Sequence, residues 1–179
     1  MATASASTVL FGKGQLSVTT IARNAVRIQY QEGAVKQSLP EWIYVNNTPV
    51  EDADIKVDVD RQHQRVSVKD ASGRVVFTAT QHQFSNGKAT LAFSSPRDEY
   101  LFGLGQFQDG FSNVRGLSRR LTQVNTQISI PMLLSSKGYG ILWNNYGLTE
   151  FNPAQQNTKL TKRNSIGSQE VVEITSTEG

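Results

Sequence analysis

Residues 55–88, IKVDVDRQHQRVSVKDASGRVVFTATQHQFSNGK, decide the fold class. Ile55, Val57 and Val59 alternate with Lys56, Asp58 and Asp60, and Val66 and Val68 alternate with Ser67 and Lys69. An apolar period of two belongs to strands that turn one face to a core. A turn at Asp70, Ala71, Ser72 and Gly73 leads into a third strand over 74–80, which carries Val75, Val76 and Phe77. Asn86-Gly87 then gives the clearest hairpin signal, since this pair accepts the positive φ angles of a type I′ turn.

The same pattern extends outward. Leu16 and Val18 lie in one alternating run and Val26, Ile28 and Tyr30 in the next, with Arg23-Asn24 as the turn between them. Residues 1–7 are small and polar and are expected to form a frayed or added tail, leaving 8–179 as one domain. Residues 31–49 are punctuated by Pro40 and Pro49. They hold Trp42 and Tyr44 on one side of a short strand, read as core or edge packing rather than a sugar platform. Before Ser95 no segment has a long 3.6-residue apolar period, so many short strands with frequent turns predict an all-β, antiparallel β-sandwich. A short strand over 139–143 ends at Asn144-Asn145, residues 154–168 are polar, and Val171, Val172 and Ile174 mark a last strand. Gln62-His63-Gln64 and Gln81-His82-Gln83 echo each other, but three residues are too few to define a repeat.

With 179 residues the chain is long enough for one sizeable domain. Its formal charge of +3 is mildly basic. The Lys and Arg residues are scattered, with Arg119-Arg120 the densest pair of the central stretch, so the sequence shows no footprint for nucleic acid. Without cysteine there are no disulfides, no thiolate metal sites and no cysteine nucleophile. No run approaches the length of a membrane span, and the N-terminus lacks the layout of a secretory signal. A cleaved leader would leave the same picture and would make the compartment periplasmic or extracellular.

Between residues 98 and 153 the composition changes. Gly103, Gly105 and Gly110 admit backbone that a Cβ would exclude. Phe102, Phe107 and Phe111 offer flat apolar faces, while Gln106, Gln108, Asp109 and Asn113 offer donors and acceptors. That mixture suits a polyol, whose C–H faces stack on rings and whose hydroxyls need directed partners.

This stretch also carries a resemblance. Tyr100, Gly103, Leu104 and Gly105, followed by Ile130-Pro131 and by Ser135, Ser136, Gly138, Tyr139 and Gly140, resemble the galactose-mutarotase-like N-terminal β-sandwich of glycoside hydrolase family 31. The run Gln106-Phe107-Gln108-Asp109-Gly110 is most similar to α-xylosidase and α-glucosidase members. The resemblance implies a parent enzyme that cleaves terminal α-linked xylose or glucose from oligosaccharides with retention, without a metal or other cofactor. It implies a (β/α)8 barrel as the partner of this domain, and a barrel alone takes roughly 250 residues. The chain is therefore expected to be one part of a longer enzyme, or a free-standing relative of the sandwich. In the family both catalytic carboxylates are barrel aspartates, the nucleophile in a Trp-x-Asp-Met context. Trp42 precedes Ile43-Tyr44 and Trp143 precedes Asn144-Asn145, so no catalytic residue is carried over and the chain alone is expected to be inactive.

The family's loop before the Ile-Pro strand lines the substrate pocket, which places Arg120, Gln123, Asn125 and Thr126 at a candidate rim, with Gln108 and Asp109 as further candidates. The competing reading is a strand whose polar face meets water or the barrel. Phe107, Phe111, Trp143 and Tyr146 are candidate barrel-interface aromatics, because interfaces gather aromatics for burial. Asp98-Glu99 reads as a solvated turn, since adjacent strand residues point to opposite faces and cannot share one substrate atom. His63 and His82 sit among glutamines with no third ligand suggested, so no metal site is expected. Gly103-Leu104-Gly105 lacks the third glycine and following helix of a dinucleotide loop. Two alternatives come from other classes. A stand-alone carbohydrate-binding β-sandwich would keep an exposed aromatic platform and bind sugar by itself. An aldose mutarotase would need a histidine acid and a carboxylate base.

Overall fold

The computed structural model describes residues 6–33, 50–145, 147–152 and 171–177. The expectations for Pro40, Trp42, Tyr44, Pro49, Tyr146 and residues 154–168 lie outside these. Among the described residues the chain runs through thirteen strands and no helix, and none of it is a helix long and apolar enough to cross a membrane. It groups into two units, Met1–Thr78 and Ala79–Gly179.

The first unit holds β1 (Ala6–Phe11), β2 (Gly14–Ala22), β3 (Ala25–Gln31), β4 (Lys56–Asp60), β5 (Arg65–Lys69) and the start of β6 (Val75–Ser85). β1, β2 and β3 form an antiparallel meander. Ala22 pairs with Ala25, which makes Arg23-Asn24 the two-residue turn read from the sequence. Strand β1 begins at Ala6, two residues before the expected start of the domain at Thr8. Phe11 and Leu16 are buried here, and Phe11 meets the Tyr30 ring edge-on at 6.3 Å, the T-shaped geometry that aromatic quadrupoles favour. β4 and β5 pair antiparallel and bury Val66 and Val68, the alternation seen in the sequence. In the turn after β5, Asp70 accepts hydrogen bonds from the backbone of Ser72 and Arg74.

The second unit continues β6 and adds β7 (Lys88–Ser94), β8 (Leu101–Gln106), β9 (Arg119–Leu121), β10 (Ile128–Ser135), β11 (Gly140–Leu142), β12 (Thr149–Phe151) and β13 (Val171–Thr177). Asn86 and Gly87 have φ of 53° and 69°, as the type I′ hairpin between β6 and β7 requires. The order β6-β7-β13-β12-β9 places the last strand between β7 and β12, antiparallel to both. A separate antiparallel sheet has the order β11-β10-β8. Phe93, Leu101, Leu104, Leu133, Phe151 and Ile174 are among the buried side chains of this unit.

Candidate functional site

The two halves of the sequence motif meet as one irregularity in the β8–β10 ladder. Ser129 pairs with Gly105 and Leu133 with Gly103, so Ile130, Pro131 and Met132 on one strand oppose Leu104 alone on the other. Gly103, Leu104 and Gly105 all have positive φ, at 113°, 65° and 104°. A Cβ at Gly105 would overlap the Ile128 carbonyl oxygen, and one at Gly103 the Met132 carbonyl oxygen. Left-handed backbone costs a residue like Leu104 about 1–2 kcal/mol. Its side chain is only 2% exposed, and burying a leucine gives back about 1.5–3 kcal/mol. Pro131, which has no N–H, occupies the unpaired bulge, where a proline is tolerated, and its carbonyl accepts from Trp143 N at 2.8 Å. The Gly-Leu-Gly motif is thus a strand segment shaped by close backbone approach rather than a loop.

Residues 107–115, which follow β8, are tied both to themselves and to the strands around them. Arg119 pairs with Asp109 and lies over the Phe107 ring, 4.8 Å from its centre. The other Asp109 oxygen accepts from Phe111 N at 3.2 Å. Asn113 Oδ1 accepts from the backbone N–H of Leu101 and of Arg115. The Arg115 guanidinium is fully buried and donates to Ser95 Oγ and to the Ser95 carbonyl. The carboxylate of Asp109 is therefore engaged by Arg119 of β9 and by the backbone of Phe111, while Gln108 and Phe111 are exposed.

Of the remaining rim candidates, Arg120 lies in β9, paired with Glu150 of β12, and Gln123, Asn125 and Thr126 lie in the turn between β9 and β10. Val124 and Gln127 exchange backbone hydrogen bonds at 3.2 and 3.1 Å, with Asn125 and Thr126 at the tip. Arg120, Gln123, Asn125 and Thr126 are all exposed. At the base, Gln127 Nε2 donates to the Thr122 carbonyl at 2.7 Å and Ser129 Oγ donates to the same oxygen at 2.6 Å. Sequence reading missed Gln127 and Ser129. The available signals were Gln127 at the end of a polar segment and a lone serine, Ser129, within the apolar start of β10.

Asp98 is exposed but Glu99 is buried, so the solvated-turn expectation fails for Glu99. Asp98 is exposed and pairs with Lys137, whose hydrogen bond holds the Asp98 carboxyl below the usual carboxylate range. Glu99 is 2% exposed, accepts from Ser135 Oγ and is hydrogen-bonded by the Tyr139 hydroxyl. Burial, and next the Glu99 carboxylate, push the Tyr139 phenol well above its ordinary value. Tyr100 and Ser136 add reciprocal hydrogen bonds at 2.9 Å. The turn joining β10 to β11 is thereby tied to the start of β8. The partner hydroxyls lie 36 and 40 residues downstream, so local pattern could not reveal them.

His63 is used within its own turn, where Nδ1 is 2.7 Å from Asp60 Oδ2. His82 is largely buried, and desolvation lowers its pKa to about 4. Among the described residues no group of three or more His, Asp or Glu is placed to hold a metal ion. Of the aromatics, Phe107 lies beneath Arg119, Phe111 is 53% exposed and Trp143 is half-buried.

The outer face of the β11-β10-β8 sheet is the least expected feature. Ile128, Ile130, Met132 and Leu134 alternate along β10, each 40–51% exposed. Leu134 pairs with Phe102 and Met132 with Leu142, both also exposed. Ser129, Pro131, Leu133 and Ser135 take the inner positions, and of these Leu133 is fully buried. Sizeable contiguous apolar patches are uncommon on the surface of monomeric soluble proteins.

Residues 43–152 match the Glycosyl hydrolase 31 N-terminal galactose mutarotase-like domain. The chain belongs to that family, and its all-β, antiparallel fold is the one the sequence led us to expect. It is 39% identical over 74 residues to an uncharacterized family 31 glucosidase of Pseudescherichia vulneris, covering 41% of this chain and 14% of that protein. It is 33% identical over 109 residues to an alpha-xylosidase of Saccharolobus solfataricus, covering 52% of this chain and 15% of that one. All of the chain superposes on 32% of a family 31 alpha-xylosidase from a soil metagenome, solved with xylose, with a TM-score of 0.69 at 19% identity. The matching stretches of the chain thus span 14% and 15% of the length of these two curated relatives.

Proposed function

We propose that this chain is the non-catalytic N-terminal domain of a retaining α-glycosidase that removes terminal α-linked xylose or glucose from oligosaccharides. It docks on the catalytic (β/α)8 barrel and lends the 122–127 turn to the rim of the substrate pocket. The observation that carries this reading is the apolar outer face of β8, β10 and β11. Six large apolar side chains on one sheet face are costly to leave in water, and covering each would contribute on the order of 1–2 kcal/mol. The relatives, each several times longer than this chain, supply a candidate for what covers them. The exposed polar turn adjoins the same strand, so docking through β10 would bring it to the edge of the barrel.

The test is made in the full-length protein. Ile130→Arg combined with Met132→Arg places two charges in the proposed contact, where each would be buried without a partner. The thermal inactivation midpoint should fall by several degrees, with glycosidase activity lost in parallel. Gln83→Arg, on an exposed polar position of β6, should leave both unchanged. A double variant as stable and active as the parent would overturn docking through this face.

A further inference from the structure

We infer that Gln127 and Ser129 are positioning residues that hold the 122–127 turn in one shape for substrate; this rests on the reading above that the turn borders the pocket. Strand β9 ends at Leu121, which leaves the Thr122 carbonyl without a ladder partner. A carbonyl in that state needs another donor. Two side chains from the opposite arm supply it, the Gln127 amide at 2.7 Å and the Ser129 hydroxyl at 2.6 Å. The same amide also reaches the Arg120 carbonyl at 3.4 Å. The backbone pair of Val124 and Gln127 closes the turn above this base. Both arms are therefore fixed by hydrogen bonds that do not involve Gln123, Asn125 or Thr126, whose side chains are all exposed.

This division of labour matters because a recognition turn that is already ordered loses less conformational freedom when it binds. Gln127→Glu keeps the shape but turns a carboxylate oxygen toward the Thr122 carbonyl, replacing attraction with repulsion. Ser129→Ala removes one donor, and Ser129→Thr restores it.

In the full-length enzyme, assayed with α-linked xylose- and glucose-containing disaccharides, Gln127→Glu should raise KM about five- to tenfold with kcat near parental, as for lost binding shared equally by ground and transition states. Ser129→Ala should raise KM by a smaller factor, and Ser129→Thr should return it to the parental value. Asn125→Ala and Gln123→Ala, read beside them, test the pocket reading itself. If these two raise KM while Gln127→Glu and Ser129→Ala do not, the positioning role is overturned and the pocket reading stands. If none of the four alters KM, both are overturned. A fall in kcat together with the thermal midpoint in Ser129→Ala, not restored by Ser129→Thr, would also overturn positioning, since it would mean general damage to the fold.

Discussion

Gly105 lies so close to the Ile128 carbonyl that even a methyl group has no room. Relief would require moving β8 away from β10, and its φ of 104° adds strain for any L side chain. We expect Gly105→Ala to cost the chain about 2–4 kcal/mol in urea unfolding. Gly110→Ala, at φ 78° with open space around the added Cβ, should cost only about 1–2 kcal/mol. Equal losses at the two sites would refute the close-approach explanation. His82 sets a pH dependence. Its folded-state pKa, near 4, lies below the unfolded value of about 6.5, so the unfolded chain binds the proton more readily. Stability is then full above about pH 6.5 and declines as pH falls toward 4. His82→Gln should flatten the urea midpoint over that interval. The Asp60, Asp70 and Asp98 carboxyls are held below their ordinary value of 3.8 by hydrogen bonds from His63, Ser72 and Lys137. Their contributions are lost only at lower pH, which keeps the two windows apart.

At the level of elements, the strands joined by tight turns were legible from pattern alone. The Arg23-Asn24, Asp70-to-Gly73 and Asn86-Gly87 turns stand where residue chemistry put them. The place of β13 between β7 and β12 was not legible, because alternation says nothing about which distant strand is a neighbour. The orientation of β10 was hidden for a related reason. Period two distinguishes two faces, but only the folded chain shows that Leu133 points inward and its isoleucines outward. Within the site, it was the family resemblance that singled out Arg120, Gln123, Asn125 and Thr126, and all four are exposed. It could not show that Asp109 is engaged by Arg119 ten residues on, nor that Glu99 is buried among hydroxyls.

For the whole molecule, membership of the family fixes what kind of domain this is, while the activity belongs to the proposal for a longer enzyme. The residues proposed to meet substrate form only part of a rim. The chain alone should therefore give no change in tryptophan fluorescence when titrated with xylose, glucose or their α-linked disaccharides. Saturable quenching would favour a self-sufficient carbohydrate-binding module instead. The bulge opposite Leu104 also governs how the whole outer surface can vary. Between its flanking pairs β10 has three residues to one on β8, a surplus of two. Because an even surplus preserves the alternation of sides, Ile128 and Ile130 stay in line with Met132 and Leu134. A single inserted or deleted residue here would turn half of that row inward unless a further bulge absorbed it.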